Sequence, residues 1–279
     1  MSPETTFDDL PGHLMPRFFP AGMGKFVCRT TRIHTPAVRL ELCDITSDAM
    51  VTWAVKSGCP KERLCEVLAK AGNLPALQRA VEEGCPLYEE SCACAAEGGH
   101  IEVLRWLRLH NCPWGMKTSR NAAYGGHLEV LEWARSAGCP WGEDTCALAA
   151  EGGHTEVLRW LHASGCPWDS RTCSGAAYGG HLATLKFARE QGCPWDKNAC
   201  SGAARFGHLE VLRWLRATGC PWNNMTVLYA AYGGHLETLE WACAAGCPWH
   251  DFTCEVCSRR PDVLQWVHDR GYHCSCAAR

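Results

Sequence analysis

Through the middle of the chain apolar positions do not alternate with polar ones, as strands would require. They fall at i, i+1, i+3 and i+4, as in Val157, Leu158, Trp160 and Leu161. That spacing lays one stripe along a helix of 3.6-residue period. The stripe is present one 27-residue step earlier, in Val130, Leu131, Trp133 and Ala134, and two steps later, in Val211, Leu212, Trp214 and Leu215. A short segment rich in small residues precedes each stripe. In the unit Pro167 to Cys193 the pattern predicts a first helix through Thr172–Tyr178, capped by Asp169 or Ser170, whose side-chain oxygen can accept from an orphan backbone N–H. Gly179-Gly180 breaks it, and His181 opens a second helix to about Gln191. Gly192 ends that helix and Pro194 blocks continuation.

The unit recurs with little drift. Histidine stands at His100, His127, His154, His181, His208 and His235, and cysteine at Cys112, Cys139, Cys166, Cys193, Cys220 and Cys247, each of these six followed by Pro-Trp. Degenerate units flank them. Upstream, Asn73 takes the histidine position, Trp53 the second-helix tryptophan position, and Cys85 reads Cys-Pro-Leu; downstream, Val263-Leu264-Gln265-Trp266 repeats the stripe. One such hairpin cannot hide its own stripe, so units must lean on their neighbours. The expected organisation is an arm over 1–36, a helical array over 37–271 closed by a charged capping unit at 248–271, and a tail over 272–279. A 54-residue period lies over the first. Tyr124, Tyr178 and Tyr232 go with Ala134, Ala188 and Ala242, whereas Glu97, Glu151 and Arg205 go with Leu107, Leu161 and Leu215. Steric compensation, with tyrosine filling the space that alanine leaves, is one expectation for that pairing.

A net charge of −3 offers no basic face for nucleic acid. No apolar run reaches the roughly 18 residues of a membrane helix. The opening MSPETTFDDL is acidic and polar, unlike a secretory leader, so the 21 cysteines are expected as mostly free thiols of an intracellular, cytoplasmic or nuclear monomer.

The frame Thr-Cys-x-x-Ala-Ala-x-Gly-Gly-His-x-x-Val-Leu-x-Trp-Leu-x-x-x-Gly-Cys resembles the ankyrin unit, with Gly153-His154, Val157-Leu158, Trp160-Leu161 and Gly165-Cys166 on matching positions over about residues 60 to 271. The resemblance implies an all-α solenoid of stacked helix-turn-helix repeats that binds proteins. Two departures stand out. The Pro-Leu-His of the ankyrin Thr-Pro-Leu-His is absent, and the link between units is about five residues shorter than in ankyrin, leaving room for a tight turn in place of a β-hairpin finger. With fingers shortened, binding is expected on the concave first-helix face.

Chemistry adds little to that picture. Helices that pack about 8–10 Å apart cannot bring equivalent histidines or cysteines onto one zinc ion with bonds of about 2.0–2.3 Å. No metal and no cofactor is therefore expected, although Cys254-x-x-Cys257 has the form of a redox or zinc half-site. Equivalent cysteines likewise exceed the roughly 7 Å reach of a disulfide, while Cys166 to Cys173 is within possible distance. Cys166 is expected as a small buried residue and His154 as a group that caps or bonds at the second-helix start. Trp106, Trp133, Trp160, Trp214 and Trp241 are expected in the core stripe, where truncation of Trp160 to Ala would cost about 3–5 kcal/mol. Trp114, Trp141, Trp168, Trp195, Trp222 and Trp249 are expected to plug the gaps between units. Gly-Gly-His recurs as a helix break and follows no strand, so it is not a dinucleotide fingerprint, and no enzymatic motif is present.

The candidates for binding a partner protein are the first-helix residues that vary while the frame stays fixed: Arg120, Asn121, Tyr124, Asp144, Glu151, Tyr178, Arg205, Tyr229 and Tyr232. Tyrosine and arginine are favoured at hot spots. The N-terminal segment Asp9-Leu10-Pro11, Phe18-Phe19 and Val27-Cys28-Arg29 resembles an F-box, though Pro16 and Pro20 interrupt the helix between. That resemblance implies a ubiquitin-ligase substrate receptor as the alternative to a plain scaffold; a disordered arm or capping helices are the other readings of the segment.

Overall fold

The computed structural model describes residues 48–56, 61–249, 253 and 260–271. The F-box-like segment, Cys254 and Cys257, and the tail fall outside the described residues. All regular structure within them is α-helical, in stacked helix-turn-helix repeats. The chain divides into two compact units, one through Pro140 and one from Trp141. In the first, α1 (Asp48–Lys56) precedes the hairpins α2/α3 (Lys61–Lys70, Leu74–Glu82), α4/α5 (Glu89–Glu97, Ile101–Leu109) and α6/α7 (Met116–Gly125, Leu128–Ser136). In the second, the hairpins are α8/α9 (Glu143–Glu151, Thr155–Ala163), α10/α11 (Ser170–Gly179, Leu182–Glu190), α12/α13 (Lys197–Arg205, Leu209–Ala217) and α14/α15 (Asn224–Gly233, Leu236–Ala244), followed by α16 (Pro261–Asp269). First helices stack on first helices: α2, α4 and α6 in one unit, α8, α10, α12 and α14 in the other.

Each helix is short because its sequence ends it twice per hairpin in the same way. Gly165 N–H bonds to His162 O and Cys166 N–H to Leu161 O, with Gly165 at φ +76°. Gly153 and His154 repeat this pair of bonds on Ala150 O and Ala149 O, with Gly153 at φ +77°. Both are Schellman closures, which need a left-handed residue. Asn111, at φ 56°, fills the glycine position once, as the residue best able to replace glycine there. At the α10 start Asp169 is the cap: its carboxylate accepts the Arg171 N–H at 2.9 Å. Six residues, 164–169, link α9 to α10. No strand, and so no finger, forms among the described residues.

The stripe forms the core. Leu104 and Leu131 in the first unit, and Leu158, Leu185, Leu212 and Leu239 in the second, are buried at 0–1% exposure. Each stabilises its hairpin by roughly 1.5–3 kcal/mol. Opposite them the first helices present small residues, such as Cys173, Ala176 and Ala177, which let the helices approach closely. Helix α16 buries Val263 and Val267, and its Trp266 indole N–H donates to Glu240 at 2.5 Å.

Tyr124, Tyr178 and Tyr232 remain 45%, 39% and 56% exposed. Ala134, Ala188 and Ala242 are buried at 0–1% exposure.

Candidate protein-binding face

The face is positioned by contacts that join one hairpin to the next through histidine, glycine and a carbonyl oxygen. The ring at the second-helix start does not cap its own helix. His100 Nε2 lies 3.0 Å from Lys70 O, His127 Nε2 2.9 Å from Glu97 O, and His208 Nε2 3.0 Å from Tyr178 O. Each bond reaches back 30 residues, to the last residues of the preceding first helix. Of the two expected roles, capping or bonding at the second-helix start, these three rings take the second and staple two hairpins. Both glycines of Gly-Gly-His follow from this. A Cβ on Gly125 would sit 2.5 Å from Glu97 O, and one on Gly99 would sit 2.4 Å from His127 Nδ1. Only the second glycine of the pair needs its positive φ; the first is required by closeness alone.

The carbonyls that accept these bonds belong to the residue three before the histidine position, followed by Gly-Gly in most units, by Ala71-Gly72 after Lys70 and by Phe206-Gly207 after Arg205. Its side chain takes no part in these bonds. In chain order this position holds Lys70, Glu97 and Tyr124 in the first unit, and Glu151, Tyr178, Arg205 and Tyr232 in the second. The second unit gathers four of the sequence-derived candidates there. The Arg205 guanidinium lies 5.6 Å from the Tyr229 ring centroid and 5.5 Å from that of Tyr232. It is also 5.7 Å from Phe206, whose ring packs 4.1 Å from Tyr178. Tyr178, Phe206 and Tyr232 are all substantially exposed, an aromatic patch organised around one cation.

Asp144, Arg120 and Asn121 lie off this position, whereas Glu151 and Tyr124 hold it. Asp144, at the opposite end of α8, is ion-paired with Arg171, which also holds Glu143 and Asp169. Glu151 ends α8, half-buried, and burial raises its pKa. Arg120, Asn121 and Tyr124 share α6 in the first unit, the first two half-buried and Tyr124 exposed. Phe206 escaped notice in the sequence, although the signal was present: it is the one aromatic in the column Gly98, Gly125, Gly152, Gly179, Phe206, Gly233. The structure makes room for it. A Cβ on Gly175 would meet Ala147 O at 2.5 Å, but one on Gly202 would meet Ser174 O at 3.6 Å, so α10 and α12 stand further apart than α8 and α10.

The second-helix side is built for structure. Trp106, Trp133, Trp160, Trp214 and Trp241 are half-buried, which corrects the expectation of core residues. They lie on the stripe's flank, and leucine takes the centre. Trp133, Trp160, Trp214 and Trp241 pack against the tryptophan of the preceding Cys-Pro-Trp, at 5.5–6.0 Å in the pairs Trp114–Trp133, Trp141–Trp160, Trp195–Trp214 and Trp222–Trp241. Arg189 and Arg216 lie 3.9 and 4.1 Å over Trp195 and Trp222 from the other side. Each also donates to the carbonyl of the cysteine before the proline. The Cys-Pro-Trp residues thus bridge successive second helices.

The cysteines are buried as expected. Cys112, Cys139, Cys166, Cys193, Cys220 and Cys247 donate to the carbonyl that opens their own first helix, at 3.1–3.5 Å. Cys92, Cys146, Cys173 and Cys200 adjoin Cys112, Cys166, Cys193 and Cys220 of the same hairpin. The neighbouring sulfur and burial hold those four first-helix thiols protonated well above the usual thiol range. All the described cysteines carry free thiols, and no cluster of three or more His, Cys, Asp or Glu side chains forms among the described residues. No helix among them is long and apolar enough to cross a membrane.

Comparison with known proteins adds one family. Residues 200–242, from within α12 to within α15, match the family model for ankyrin repeats. No curated protein matches the chain. A solved structure to which it is similar is the crystal structure of the human ASB11 ankyrin repeat domain, at 18% identity over 75% of this chain and 98% of that one, with a TM-score of 0.44.

Proposed function

From the ankyrin repeats that the chain carries at 200–242, we propose that it is a protein-interaction scaffold. In this reading its second unit engages a partner through Tyr178, Arg205, Phe206, Tyr229 and Tyr232. The observation that carries the reading is the clustering of exposed aromatic side chains around Arg205. Exposed rings of this size cost solvation and contribute no core here, and tyrosine and arginine are the residue types that concentrate binding energy at interfaces. Arg120, Asn121 and Tyr124 offer a second, separate patch on the first unit.

The test is affinity capture from cells with the full chain and with a Tyr178→Ala, Arg205→Ala, Tyr232→Ala variant, read by quantitative mass spectrometry. The variant is expected to melt near the parent, because the three side chains lie outside the packed core, and to lose its specific partners by about tenfold or more, since truncating hot-spot residues costs about 2 kcal/mol or more each. An unchanged partner set from a folded variant overturns the proposal.

A further inference from the structure

The position three before the second-helix histidine carries charges of both signs, and the two units treat them differently. In the first unit Lys70 Nζ and Glu97 Oε1 are 2.6 Å apart on adjacent hairpins. Side chains one step apart at this position therefore touch, and their charges cancel. In the second unit Glu151 and Arg205 are two steps apart, with Tyr178 between them. Neither meets an opposite charge among the described residues. The guanidinium of Arg205 faces the rings of Phe206, Tyr229 and Tyr232. Glu151 is half-buried, and its raised pKa has burial as its cause, with no cation to offset it. Arg159, the first arginine after α8, is paired with Glu156 and lies over the Phe187 ring, and Arg171 is taken up by Glu143, Asp144 and Asp169.

We propose that this face docks a polypeptide segment of fixed polarity, which places a carboxylate against Arg205 and an ammonium or guanidinium against Glu151, with an apolar or aromatic side chain over Tyr178 and Phe206 between them. The inference rests on the binding reading above and deepens it. Packed helices lie about 8–10 Å apart, so two steps separate the charges by roughly 16–20 Å. That span corresponds to about five or six residues of an extended strand or about eleven to thirteen of a helix. Two uncompensated charges of opposite sign at a fixed separation specify direction as well as position, because a segment laid the other way puts like charges together at both ends.

The experiment is selection of a phage-displayed random 16-residue peptide library against the full chain and, in parallel, against the full chain carrying Glu151→Arg and Arg205→Glu. Thermal melts of both proteins check that each is folded. Against the parent, enriched peptides are expected to carry an acidic and a basic residue in one order at one of the two spacings. Against the double variant, the order should reverse, and each peptide set should bind the other protein at least tenfold more weakly. Enriched peptides without charge polarity, or with the same order on both proteins, overturn this inference. If such peptides still depend on Tyr178 and Tyr232, the binding reading survives. No enrichment above an uncoated support overturns both.

Discussion

Gly180 and Gly192 share a backbone conformation, at φ +79° and +82°, yet an alanine side chain should cost different amounts at the two sites. Holding alanine in the left-handed region costs roughly 1–2 kcal/mol at either position. At Gly192 the added Cβ meets nothing within 4 Å, so the backbone term is the whole effect. At Gly180 it lies 2.6 Å from Cε1 and Nδ1 of His208. That is about 1 Å inside an ordinary contact of about 3.5–4.0 Å. His208 cannot retreat without losing its 3.0 Å bond to Tyr178 O. Overpacking of this kind adds roughly 1–3 kcal/mol, for a total near 2–5 kcal/mol. With a urea slope of about 2 kcal/mol/M, Gly192→Ala should lower the midpoint by roughly 0.5–1 M and Gly180→Ala by roughly 1–2.5 M. Urea unfolding followed by far-ultraviolet circular dichroism measures both. The pair Gly180→Ala, His208→Ala completes a double-mutant cycle. Removing the ring removes the clash, so the two changes together should cost about 1–3 kcal/mol less than their sum. Equal midpoints for Gly180→Ala and Gly192→Ala, or strict additivity in the cycle, would refute the staple as the reason for the second glycine.

Two further outcomes follow from burial. Leu158 is fully buried while Trp160 is half-buried against Trp141, so Leu158→Ala should cost about 2–5 kcal/mol and Trp160→Ala, despite its larger side chain, roughly 1–3 kcal/mol; chemical denaturation with the order reversed would return the tryptophan to the core. Burial pushes the Cys65 thiol up to about 12 and the Cys94 and Cys247 thiols up to about 11. A raised folded value means that the native state holds the proton more tightly than the unfolded chain. Stability is therefore full below the unfolded thiol value near 9 and falls between there and about 11–12, by up to about 1.4 kcal/mol per pH unit for each such thiol. Urea midpoints at pH 8 and pH 10 should drop accordingly, and a flat profile would count against thiol burial.

The helices and their ends were legible because each depends on a local cause. Gly165-Cys166 and Gly153-His154 close helices through bonds that span five residues, and Asp169 caps through a bond that spans two. The apolar stripe told which face is buried, as Leu158 and Leu161 confirm at 0% exposure. Contacts between hairpins were harder to read, because they depend on how far one unit is displaced from the next. His127 reaching back to Glu97 O and tryptophan packing on the Cys-Pro-Trp of the preceding unit both follow from that displacement. Periodicity alone is silent about it. The binding candidates show the same division: Tyr178, Arg205, Tyr229 and Tyr232 converge because neighbouring units are in register, whereas Asp144 is drawn off by Arg171 from the next hairpin.

Why one position can hold Lys70, Glu97, Tyr178 and Arg205 in turn has a backbone answer. What the array takes from Lys70, Glu97 and Tyr178 is the carbonyl oxygen that receives a histidine from the next hairpin. Every residue type supplies that oxygen equally. The structural demand falls on glycine and histidine, where a single Cβ would collide, and leaves the neighbouring side chain outside the staple. A charge or a ring placed there changes what the surface offers while barely touching the interface that holds the hairpins together. The stack thus draws on the backbone atoms of this residue and not on its side chain, and for that reason exposed aromatic and charged side chains can accumulate along this line without weakening it.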